Sequence, residues 1–204
     1  MELFNQILFM VFAFIALALL LSAIPQFKVK KSELPSLYWP ISIGIYVLSC
    51  LSFGLAPWIF KPLLTLGNFS LVSSTLALVF LYRSWNNNPF NKLQTGLLIA
   101  IPIFIAIFYE SLRVTPNSFH QRVALITIVQ EVFLAWQVWE LIKYYKKEQS
   151  ISCGWLFLVT LGNLLASVSR TYIILTGDGP TNIFVYVEDI WGLKRGKGMQ
   201  EKEY

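Results

Sequence analysis

Residues 63–82 read LLTLGNFSLVSSTLALVFLY, an uncharged stretch closed by Arg83. A helix needs roughly 20 mostly apolar residues to cross the hydrocarbon core of a bilayer. This stretch has that length, and five more runs of the same kind surround it. They extend from Leu3 to Ile24, Leu37 to Phe60, Leu93 to Tyr109, Val123 to Ile142 and Cys153 to Leu175. The expected fold class is therefore all-α, a polytopic transmembrane helix bundle with six spans.

Composition supports the same reading. Of the 204 residues, 56% are apolar and 13% charged, against about 25% charged in soluble domains. Little chain remains for a separate soluble domain of ~100–150 residues. The net charge is +5, but the lysines and arginines sit in short clusters between apolar runs. Membrane topology explains that pattern better than a nucleic-acid face. Cys50 and Cys153 lie in or beside apolar runs and read as packing residues. His120 is the single histidine and cannot build a His-rich metal site. No cofactor is expected.

The first run could be a cleaved signal peptide, but such peptides carry a positive n-region before a shorter apolar core. Here Glu2 precedes the run and Lys28, Lys30 and Lys31 follow it, which favours a retained helix. Pro40 falls in the first turn of the second run and Pro57 near its end. Pro102 marks a kink in the fourth run. Residues 84–91, SWNNNPFN, form a turn signal, and a loop is expected over Glu110 to Gln121. After the break at residues 176–180, TGDGP, the partial segment 183–193 is too short to span and contains Glu188 and Asp189. The tail 194–204 is expected to be charged and disordered.

Alternate loops carry eight basic residues against three in the opposite set. The positive-inside rule then places the N-terminus outside. The basic tail, with Lys194, Arg195, Lys197 and Lys202, would belong inside and would need a seventh span. The chain thus reads as a membrane unit with an incomplete seventh helix.

Ionisable groups at membrane depth usually face the bundle interior and have a partner. Glu131 lies near the middle of the fifth run and Arg170 late in the sixth. In a helical hairpin the two reach similar depths, and an ion pair between them is the expectation. Glu140 is expected to meet Lys143, Tyr144 or solvent. Asn68, Gln130, Gln137 and Asn163 can join helices by hydrogen bonds. Tyr38, Trp39, Trp58, Tyr82, Trp85, Tyr109, Tyr144, Tyr145 and Trp155 lie near run ends, as an aromatic belt requires. Phosphate loops, paired cysteine motifs and catalytic elbows are absent from the sequence. Glu131 and Glu140 are nine residues apart and fall on different sides of a helix.

Several stretches carry a resemblance. Leu37-Tyr38-Trp39 opens the second run and Leu66-Gly67-Asn68 the third, which closes on a leucine-rich segment, Arg83 and Trp85. Phe119-His120-Gln121-Arg122-Val123 precedes the fifth, and Ser169-Arg170-Thr171 lies late in the sixth. Over residues 37–175 this order resembles the N-terminal membrane region of bacterial signalling proteins, especially membrane-bound diguanylate cyclases of the GGDEF family. The resemblance implies a sensory module in a bacterial inner membrane, truncated before the output domain. Its expected partners are the bilayer, a small or lipophilic ligand, and either a second copy or a separate cytoplasmic signalling protein. Asn68, Arg122, Glu131 and Arg170 are the candidate ligand-binding or intramembrane polar network. Two other classes stay open, a small carrier with Glu131 as its titratable group and an intramembrane enzyme acting on lipid.

Overall fold

The computed structural model describes residues 2–29, 34–60, 62–115 and 118–176. They form six α-helices and, among the described residues, no strand. The helices are α1 (Glu2–Val29), α2 (Leu34–Leu55), α3 (Pro62–Trp85), α4 (Lys92–Val114), α5 (Phe119–Glu148) and α6 (Ile151–Thr176). Five of them, α2 to α6, are long and apolar enough to cross a membrane. In α1 the apolar stretch is Gln6–Ser22 among the residues described in full. The segment 183–193 and the tail 194–204 lie outside the described residues.

Contacts along the helices define the topology. Ser42 meets Ser74 and Ser49 meets Gly67, so α2 and α3 run antiparallel. Gln6 meets Trp58 and Phe9 meets Phe53, which pairs α1 antiparallel with α2. Phe80 and Thr65 of α3 meet Phe90, just before α4, and Glu110, near its other end. Glu131 of α5 meets Ser167 and Thr171 of α6. Gln137 donates to the Thr75 carbonyl and Asn86 to the Glu140 carbonyl, so α3 and α5 run side by side in the same direction. The result is an up-and-down bundle with α3 at its centre, touching α2, α4 and α5.

The central position shows in burial. Inside the bundle lies 56% of the apolar window of α3, against 17% for α4 and 11% for α6. The α2–α3 contact is the most extensive, and small polar residues line it. Ser42 donates to the Ser74 carbonyl at 3.0 Å and Ser74 returns a bond to the Ser42 carbonyl at 2.9 Å. Seven residues along, Ser49 donates to the Gly67 carbonyl at 2.8 Å. Such residues let helix backbones approach and add hydrogen bonds where lipid offers none. At Gly67 a Cβ would lie 2.9 Å from the Phe53 ring. The core then builds outward from Val72, Leu76, Val79 and Phe80 of α3 to Ile105, Tyr109, Ile126 and Phe133.

Several boundaries differ from the sequence reading. Helix α2 begins earlier, so Pro40 lies in its second turn, and it stops at Leu55, leaving Pro57 in the following turn. Helix α4 runs through Pro102 and continues one turn past Tyr109, so Glu110 and Arg113 are helical rather than in a loop. The turn over 84–91 forms as expected. Asn87 takes a left-handed φ of 55°, and Asn91 caps α4 in a reciprocal capping box with Gln94. Cys50 and Cys153 are both buried and free. Tyr82 and Tyr109 are core residues rather than belt residues, each packed in a buried apolar cluster.

Candidate functional site

Polar groups gather at the two ends of the α3–α4–α5 trio. At the end that carries Lys143, Lys146 and Lys147, called here the basic end, the centre is Glu140. Its side chain is only 2% exposed. Asn86, from the turn after α3, donates to Glu140 Oε2 at 2.8 Å and to the Glu140 backbone carbonyl at 2.9 Å. Trp136 Nε1 donates to Oε1 at 3.4 Å, and Lys143 Nζ lies 3.5 Å from the same oxygen. A carboxylate so enclosed is tolerable because donors meet both oxygens. Arg83 holds the same turn. It donates to the Asn88 carbonyl at 2.7 Å and lies 4.1 Å from the centre of the Phe90 ring. Phe90 packs edge-on against Trp136.

At the opposite end the centre is Glu110, in the last turns of α4. Thr65, in the first turn of α3, donates to Oε1. Arg113 Nε lies 2.6 Å from Oε2. Arg122, on the first turn of α5, acts electrostatically on the same carboxylate and lies 5.7 Å from the centre of the Tyr109 ring. Arg122 is 9% exposed, while the side chains of Glu110 and Arg113 are 36% and 33% exposed. Ser118 closes the connection below α5 by donating to the Leu112 carbonyl. Three helices thus converge on one carboxylate with two guanidinium groups around it, and the cluster is partly open.

The four residues singled out from sequence lie on three helices, Asn68 on α3, Arg122 and Glu131 on α5 and Arg170 on α6. Arg122 belongs to the Glu110 cluster. Asn68 lies one turn from Thr65, but its amide donates to the Leu64 carbonyl of its own helix at 2.9 Å. Glu131 faces α6, where Thr171 donates to it at 2.6 Å and Ser167 at 3.3 Å. Two hydroxyls of α6 therefore meet the carboxylate. Glu131 lies at the depth on α6 where Ser167 and Thr171 stand, and Arg170 is the residue next to Thr171. Of the partners expected for Glu140, the structure supplies Lys143. Asn86 and the bundle enclose the same carboxylate. Gln137, expected to join helices, does so by donating to the Thr75 carbonyl at 2.8 Å.

Sequence reasoning missed Glu110, Thr65, Arg113 and Asn86. A signal existed for Glu110 and Arg113. They stand three residues apart, one helical turn, directly after an apolar run. Among the described residues no group of three His, Cys, Asp or Glu side chains could hold a metal ion. No family model, curated protein or solved structure matches the chain.

Proposed function

We propose that the protein is a multi-pass membrane sensory module and that the Glu110–Arg113–Arg122 end is its binding end. The observation that carries this reading is the unequal build of the two ends on the same three helices. At the basic end Glu140 ties the α3–α4 turn to α5 from a closed position. At the opposite end the ties to α4 pass through side chains that are about one-third exposed. Helix α4 is also lightly packed along its length. A ligand that engages the arginines would draw α4 away from Thr65 while the basic end holds as a pivot. The displaced α4 would present a different face to a partner helix or a second copy, which would carry the signal onward. All six helices cross the bilayer in this reading, with the N-terminus outside, so the binding end faces the exterior of a bacterial inner membrane. The likeness to the membrane regions of GGDEF proteins belongs to the same proposal.

The test is hydrogen exchange on the detergent-solubilised protein. Glu110→Gln should speed amide exchange over residues 105–115 and leave residues 80–91 as they were. Equal acceleration at both ends, or none at either, would overturn the reading.

A carrier in which Glu131 titrates is the second reading, and the position of Glu131 between α5 and α6 supports it. Uptake into proteoliposomes that Glu131→Gln abolishes would favour it.

A further inference from the structure

Resting on the reading of the Glu110 end as the binding end, we infer that its ligand is a lipid with an anionic phosphate head group. The first argument is charge. Among the described residues, two guanidinium groups surround the single carboxylate Glu110, so the cluster keeps a net positive charge. The second is unused donor capacity. A guanidinium presents five N–H donors in a planar fork. Arg113 uses Nε on Glu110, and among the described residues no hydrogen bond is made by its terminal amino groups. That second edge of the fork matches two phosphate oxygens in one plane. Being partly exposed, it can be reached from the membrane without unfolding the cluster.

The third argument is the surface beside it. Ile99, Ile103, Ile107 and Val114 are all exposed on α4. Their spacing of four, four and seven residues keeps them on one face, and Glu110 lies on that face between Ile107 and Val114. An apolar stripe therefore leads along the helix to the charged cluster. An acyl chain lying on the isoleucines would bring its head group to Arg113. From Ile99 to Glu110 the helix rises about 16 Å, a length suited to a lipid tail. A soluble anion would use the fork but not the stripe, so the surface favours the lipid.

The experiment is native mass spectrometry of the full chain released from nanodiscs of phosphatidylcholine with a minor fraction of phosphatidylglycerol. The wild type should retain phosphatidylglycerol about tenfold above its share of the bilayer, the ratio expected for one charge-assisted contact. Arg113→Gln should bring retention back to the bulk share, and Lys92→Gln, at the other end of α4, should not. Retention at the bulk share in the wild type, or enrichment that survives Arg113→Gln, would overturn the inference. Loss of the enrichment in millimolar inorganic phosphate at constant ionic strength would also overturn it, since the head group alone would then suffice. The hydrogen-exchange response to Glu110→Gln does not depend on lipid. If it persists while the enrichment fails, the binding end stands and the lipid class falls.

Discussion

Glu140 and Glu110 are two carboxylates on the same helical trio, and they are treated in opposite ways. Glu140 is enclosed, and three side chains from the α3–α4 turn and α5 supply its donors. Glu110 is one-third exposed and is held by Thr65 and by an arginine on its own helix. Removing a partner from an enclosed charge strands the others without water to replace it. At the open end water and lipid head groups can take over. One end is therefore built to hold the helices in register, and the other is built so that its contacts can be exchanged.

The sharpest way to break this comparison is Glu140→Ala. It removes the carboxylate from the Trp136 indole and Lys143, leaves the Asn86 amide only the backbone carbonyl of residue 140, and should cost about 3 kcal/mol. A thermal unfolding series in detergent reads this directly, and a loss below about 1 kcal/mol would deny the closed end its structural role. Next in size is Gly67→Ala, which forces the Phe53 ring back where α2 and α3 meet. Overpacking of this kind costs about 1–3 kcal/mol, and the same unfolding series measures it. Gln137→Leu removes the bond from α5 to the Thr75 carbonyl and should cost close to ~0.6 kcal/mol, the average for hydrogen bonds between membrane helices. The smallest effect is expected at the open end. Glu110→Gln reduces the Thr65 contact from a charge-assisted to a weaker neutral hydrogen bond and loses an exposed ion pair worth about 0–1 kcal/mol, so unfolding should barely shift while local exchange changes. A large loss of stability with Glu110→Gln would erase the distinction between the ends.

The helices were legible because a spanning run needs only length and absence of charge, and all six runs contain helix in the structure. The turn after α3 was legible from its asparagines, and Asn87 and Asn91 do the work that their chemistry suggests. The site was legible only in part. Glu110 was assigned to a loop because the apolar run ends at Tyr109, although a helix continues for as long as its amides find acceptors. For Glu140 the sequence offers Lys143, one turn away, and the structure contains that contact. The main donor to Glu140, Asn86, stands 54 residues earlier in the chain, and no local window brings them together. For Glu131 the sequence located the depth on α6 but not the donors, Thr171 and Ser167. Depth follows from counting residues, but azimuth depends on how α6 is rotated on α5, and one residue of offset turns a side chain by about 100°.

The central claim is that α4 moves at one end and is held at the other. Spin-label distances test it most directly, in a Cys50→Ala, Cys153→Ala background. One label pair would replace Leu66 and Val114 at the Glu110 end, and the other Lys92 and Lys147 at the basic end, all of them exposed positions. The account expects Glu110→Gln to lengthen or broaden the Leu66–Val114 distance and to leave the Lys92–Lys147 distance unchanged. An unchanged first distance, or an equal change in both, would contradict it.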